Sequence, residues 1–291
     1  MNNQKLAYIY AVAAVLFWST AASAFKVSLR YVDVHHLLLY SSCTSLMVFF
    51  AALILQGKVD ILRSCTKKDF ARSFGMGLLN PFLYYMVLFK AYSLLPAQQA
   101  MTLNYTWPLM LVVLSIPLLK QRISAASIIA VAVSFAGVIL IATRGDVSTL
   151  RFTSMTGVAL ALGSSVIWGL FWIFNVRDHR DQTVKLFMNF AFGTPVILIV
   201  SLFAAPRWTS VVRGLLGSVY VGLFEMGITY ILWLNALSLS KTTAQVGNLI
   251  YLSPFLSLFF IRIVVGESIA LSTVLGLALI VSGIVVQKRI G

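Results

Sequence analysis

Eight acidic side chains are spread through the chain, and only Glu225 lies deep within an apolar run, about midway along it and between Gly222 and Gly227. A carboxylate at membrane depth costs at least a few kcal/mol, so an ionisable residue there is a functional candidate from the outset. It suits two tasks, pairing with an amine or exchanging a single proton. Packing alone is the competing role, with the carboxyl held by a tyrosine or serine hydroxyl. About 145 residues earlier the matching position is Asn80, so the pair is polar in both places and acidic in one.

A second set of polar groups recurs with one residue inserted at the intervening turn. Gln99, Thr102 and Tyr105 are spaced i, i+3, i+6, and so are Gln245, Asn248 and Tyr251. On a helix each set keeps to one broad face, able to read a solute or to bond a neighbouring helix. Tryptophan normally marks membrane interfaces, yet Trp18, Trp107, Trp168, Trp172 and Trp233 all fall inside apolar runs. With Tyr84, Tyr85 and Phe171 they could line a wide cavity for aromatic or apolar solutes. The candidate binding residues are therefore Trp18, Asn80, Tyr84, Gln99, Thr102, Tyr105, Trp168, Trp172, Glu225, Thr229, Gln245, Asn248 and Tyr251. Lys26 and Lys90 lie near span ends, where long stems reach back to the interface; attraction of a solute carboxylate is the alternative.

Other chemistry lacks its residues. Cys43 and Cys65 have no metal or disulfide spacing, and His35, His36 and His179 are expected in loops. No GxxxxGK, HExxH or GxSxG pattern occurs, so neither an enzyme nor a bound cofactor or metal is expected. The net charge of +14 does not indicate nucleic acid, because the basic residues sit in gaps between apolar runs.

These residues need a membrane-embedded frame. The 291 residues are 60% hydrophobic and 10% charged, with a mean hydropathy of +0.93. Soluble domains carry about 25% charged residues. Runs of the roughly 20 residues that cross a bilayer lie near 6–28, 34–56, 70–94, 97–118, 124–143, 154–176, 183–204, 212–238, 242–264 and 269–287. The expected fold is an all-α integral membrane protein of ten transmembrane helices, with the first run retained as a span. With a cytoplasmic N-terminus, fourteen of the 22 basic residues fall inside and seven outside, Lys90 lying within a span. That bias puts both termini in the cytoplasm.

The recurrences mark a duplication, residues 1–146 and 147–291. Phe17-Trp18-Ser19 returns as Ile167-Trp168-Gly169, and Ala136-Gly137-Val138 as Ser282-Gly283-Ile284. Ala91, Ser93 and Pro108 align with Ala236, Ser238 and Pro254. Five spans per copy invert the second relative to the first, a transporter design with its site at the interface. Small residues four apart, Ala132/Ala136 and Ala278/Ser282, are expected to form close scaffold contacts.

In order and spacing these motifs resemble the drug/metabolite transporter superfamily and, within it, the EamA-type permeases, with bacterial exporters of aromatic amino acids nearest in pattern. The resemblance implies a central cavity formed by spans one, three, four, six, eight and nine. It implies export of aromatic and other apolar amino acids by alternating access, from a monomer in a bacterial inner membrane. A metabolite or cationic-drug exporter, or a channel-like facilitator, is the alternative. The family often carries Glu just after spans four and nine; this chain has Gln121 at the first place and Glu267 at the second.

Overall fold

The computed structural model describes residues 3–119, 125–146, 153–204, 212–240 and 248–290, and the regular structure there is entirely helical. In chain order the helices are α1 (Asn3–Ser28), α2 (Val34–Leu55), α3 (Val59–Arg63), α4 (Lys67–Gly77), α5 (Tyr84–Leu94), α6 (Ala97–Asn104) and α7 (Trp107–Leu119). They continue with α8 (Ala125–Ala142), α9 (Met155–Val176), α10 (Gln182–Ala204), α11 (Val212–Val221), α12 (Ile228–Leu239), α13 (Ser253–Phe260) and α14 (Leu271–Ile290).

Among the described residues, five helical stretches are long and apolar enough to cross a membrane: Asn3–Ser28, Val34–Leu55, Met155–Asn175, Gln182–Ala204 and Val212–Leu239. Other expected runs are interrupted, for identifiable reasons. Run 70–94 becomes α4 and α5 joined by a π-helical turn, Leu78–Leu83, around Pro81. Run 97–118 breaks between α6 and α7, because the ring of Pro108 would collide with the carbonyl of Asn104 in a continuous helix. The described part of run 242–264 is split in the same way. A 3-10 turn, Asn248–Leu252, precedes α13, which carries Pro254 in its first turn, where the missing N–H costs nothing. A π-helical turn, Ile261–Val265, follows.

Packing places the two halves of the sequence against each other. Helix α1 lies along α12, α5 along α9, α2 along α10, and α8 along α14. The α8–α14 contact differs from expectation. Ala132, Ala136, Ala278 and Ser282 face outward, and the close approach is made by Gly137 and Gly276. A Cβ on Gly137 would fall 2.5 Å from the carbonyl oxygen of Gly276, so backbones come nearer than alanine permits. Loops are fixed by capping. Asp33 caps α2 by accepting from the N–H of His35 at 2.9 Å and of His36 at 3.3 Å. Thr66 and Asp69 form a reciprocal capping box on α4.

Candidate functional site

Glu225 owes its position to a π-helical turn. Gly222–Gly227 forms that turn, and the Thr229 hydroxyl closes it on the carbonyl of Phe224. Glycine is required at both ends. A Cβ on Gly227 would fall 2.7 Å from the carbonyl oxygen of Gly222, and one on Gly222 would fall 2.5 Å from that of Ser41 on α2. The widened turn is held from α2, where Ser45 donates to the carbonyl of Gly222 at 2.8 Å and Ser41 to that of Ser218 at 2.9 Å. Turns of this type are frequent at functional sites. The fully buried Asn80 occupies the corresponding π turn in the first half.

The turn delivers the Glu225 side chain into a cavity of about 290 Å³ bounded by helices of both halves. Tyr85 donates to Oε1 at 3.2 Å, its hydroxyl lies 3.0 Å from that of Tyr230, and Trp18 Nε1 donates to the Glu225 carbonyl at 3.3 Å. Aromatic rings make the walls. Trp18 and Trp233 meet edge-on at 5.4 Å, Tyr84 stacks on Trp168 at 4.6 Å, and Trp168 meets Trp172 edge-on at 5.9 Å. Tyr105 donates to the carbonyl of Ile250, joining the two broken stretches across the cavity. Asn104 accepts from Tyr84 at 3.4 Å and donates to Ser164 at 2.9 Å.

Of the sequence candidates, Trp18, Tyr84, Tyr105, Trp168, Trp172, Glu225 and Tyr251 line this cavity. Others point elsewhere. Gln99 donates to the carbonyl of Ile141 at 2.9 Å, tying α6 to α8. Thr102 is fully buried and bonds back to the carbonyl of Gln98. Thr229 is likewise spent on its own turn. Gln245 lies outside the described residues, as does the side chain of Asn248. The walls also contain Asn104, Trp107, Tyr230, Trp233, Ser253 and Ser257. Trp107 and Trp233 were visible as misplaced tryptophans. Tyr230 was hidden because the π turn advances the register by one, so the face that reads Thr229 at regular pitch carries Tyr230.

Two polar junctions tie helices together outside the cavity lining. At the Leu95–Pro96 end, Glu267 caps α6, accepting from the N–H of Ala97 at 2.8 Å and of Gln98 at 3.3 Å. The Gln98 amide donates to the carbonyl of Ser268 at 2.9 Å. It accepts from the N–H of Ala270 at 3.0 Å and the hydroxyl of Thr273 at 2.9 Å. Lys26 donates to the carbonyls of Tyr92 at 2.9 Å and Leu95 at 2.6 Å. At the opposite end Arg180 grips Asp178, with Nη2–Oδ2 at 2.6 Å, and reaches the carbonyl of Asp69 at 3.2 Å. Lys58 pairs with Asp181 at 2.7 Å. Burial pushes the Asp178 carboxyl upward, but bonds from Arg180 outweigh it and hold the group below the usual carboxylate range. Asp181 is held low against burial by Lys58 and by the N–H groups of Val184 and Thr183.

Among the described residues, helices from both halves of the sequence wall an aromatic cavity with Glu225 in its lining. The sequence pattern of the EamA-like transporter family matches residues 5–143 and again 155–287. An uncharacterized transporter of Archaeoglobus fulgidus is 25% identical over 97% of this chain and 99% of its own. The uncharacterized transporter YvbV of Bacillus subtilis is 26% identical over 71% of this chain and 68% of its own. One from Clostridium kluyveri is 25% identical over 58% of this chain and 56% of its own. A crystal structure aligns over 97% of this chain and 96% of its own with a TM-score of 0.69 and 24% identity, a likeness of fold alone. The chain belongs to the EamA-like transporter family of the drug/metabolite transporter superfamily.

Proposed function

We propose that the chain is a secondary transporter that exports small, largely apolar solutes across a bacterial inner membrane, aromatic and other apolar amino acids foremost. The ring-lined cavity carries this reading. Its walls come from both halves of the sequence, as an interface site in a duplicated carrier requires. Ten spans in two inverted copies, 1–146 and 147–291, account for the family pattern matching twice. They also account for π turns at Leu78–Leu83 and Gly222–Gly227 and for a proline-associated helix break in each half. Both termini are then cytoplasmic, and the Leu95–Pro96 junction is the outer one. Alternating access follows if the polar junctions at the two ends part in turn. A carrier of another metabolite, or a channel-like facilitator, remains the competing reading of the same cavity.

Uptake of labelled phenylalanine into proteoliposomes, with and without an imposed pH gradient, tests this. Saturable uptake absent from empty vesicles is expected. Uptake rising linearly with concentration would favour a channel, and none for phenylalanine, leucine or tryptophan would remove the amino-acid assignment.

A further inference from the structure

At the end of the bundle that carries the Arg180–Asp178 junction, cations outnumber carboxylates. Asp178 and Asp69 are engaged by Arg180, Asp181 by Lys58 and Asp60 by Arg63. Lys67 and Lys68, at the start of α4, form no ion pair among the described residues. Arg72 has only a long contact to Asp178, at 3.6 Å. That exceeds hydrogen-bonding range, so its N–H groups remain to donate.

A topological bias of basic residues accounts for how many there are but not for how they are arranged. Helical pitch sets two adjacent rows on the exposed side of α4: Lys67, Ala71 and Phe74, and Lys68, Arg72 and Gly75. Each row is cationic where α4 begins and apolar or bare further along. Phe70 and Phe74 are 45% and 46% exposed and stand edge-on to Phe192 of α10 at 6.0 and 6.2 Å. Gly75 is open, because a Cβ there would meet no atom within 4 Å. The cations therefore border a shallow apolar surface at the mouth of a span.

We infer that this face of α4 binds an anionic phospholipid. The headgroup phosphate is held between Lys68 and Arg72, one helical turn apart, with Lys67 alongside, and an acyl chain lies over Ala71, Gly75 and Phe74. Charge complementarity selects this occupant: clustered basic groups at a membrane surface attract anionic headgroups, and the carboxylates nearby are already taken. A free phosphate would use the cations and make no use of the apolar rows. A zwitterionic lipid brings its own cation beside the lysines. The inference requires only that the chain is membrane-embedded, as its family is, and is independent of the cargo.

Native mass spectrometry of the purified full chain reads the site directly. Phosphatidylglycerol, phosphatidylethanolamine and phosphatidylcholine with identical acyl chains are offered in turn. The wild type is expected to bind phosphatidylglycerol at least about tenfold more tightly than either of the others, since each cation near an anionic surface is worth about fivefold in affinity. Lys67→Gln/Lys68→Gln should weaken phosphatidylglycerol binding by about 20-fold on the same scale, and adding Arg72→Gln should weaken it further. Lys67→Arg/Lys68→Arg should bind like the wild type. Lys5→Gln/Arg262→Gln removes the same charge from exposed positions elsewhere and should change binding by less than about twofold, distant charges being screened. The wild-type lipid ranking decides the matter even if a variant does not fold. Equal binding of the three lipids by the wild type, or an equal loss in the remote double variant, overturns the inference. So does displacement of the lipid by millimolar glycerol phosphate, which would make this a site for a soluble phosphate.

Discussion

Replacing Gln98 with leucine removes three hydrogen bonds of ordinary length that join α6 to the segment before α14 and to the first turn of α14: to Ser268 at 2.9 Å, Ala270 at 3.0 Å and Thr273 at 2.9 Å. Gln98 is only 6% exposed, so water does not readily replace them. At about 1 kcal/mol net for each bond, the closed junction loses about 3 kcal/mol, before any penalty for the stranded Ser268 carbonyl and Ala270 N–H. If this junction parts when the proposed outer end opens, the equilibrium shifts toward the open arrangement by about 150-fold. A single cysteine at Ser257, on the cavity wall and 2% exposed, reads that shift in a chain lacking Cys43 and Cys65. Its reaction with an impermeant maleimide should accelerate when reagent is applied at the Leu95–Pro96 side and slow when applied at the other. Gln99→Leu, which cuts the tie to Ile141 on α8 and leaves this junction intact, should not produce that pattern. A lower melting temperature with unchanged labelling at both sides would refute the gating argument and leave Gln98 a structural tie.

Four further outcomes are expected. Glu225→Gln should weaken transport and flatten its pH dependence between about pH 5 and 8 at unchanged thermal stability; wild-type transport across that range would make the residue structural. Single cysteines at Pro96 and Ser240 should label unequally on intact cells, and equal labelling would remove the inverted arrangement. The Asp178 carboxyl is depressed in the folded chain, so the stability it contributes is present above its unfolded value near 3.9 and lost as pH falls through the lower folded value. Asp178→Asn should accordingly lower stability at neutral pH by about 2 kcal/mol and remove that part of the acid sensitivity, measured by thermal unfolding against pH. Gly137→Leu should destabilise the purified protein by at least about 1–3 kcal/mol through overpacking, with flux per folded molecule unchanged.

Much of the site was legible because hydrophobic periodicity is a property of regular helix. Trp18, Trp168 and Trp172 keep regular pitch within α1 and α9 and reach the cavity as their spacing implies. Glu225 was legible from its isolation in an apolar run. The rest failed where the backbone leaves regular pitch or where side-chain length decides. Beyond Gly227 an extra residue per turn exchanges Thr229 for Tyr230. Gln98 and Gln99 are adjacent and chemically identical, yet one bonds the other half of the sequence and the other bonds α8. A sequence shows only that one of them faces each way. Ala136 and Gly137 are likewise neighbours, and the one without a Cβ takes the contact because the carbonyl of Gly276 leaves no room for the other.

The glycine contact between α8 and α14 also bears on how motion in this molecule can be measured. Ile141 lies over Gly276, where an added Cβ would come within 2.8 Å of its Cδ1, as a tooth sits in a notch. Sliding either helix by one residue would drive that side chain into Leu275 or Leu277, so the two helices are indexed to each other. Each comes from a different half of the sequence, and each carries outward-facing side chains such as Val133, Ile139, Val274 and Leu275. Spin labels at Val133 and Leu275 therefore define a baseline whose separation should stay constant through the cycle. Distances from that baseline to Ser93 and Ser238 would chart the travel of the C-terminal ends of α5 and α12 on a common scale.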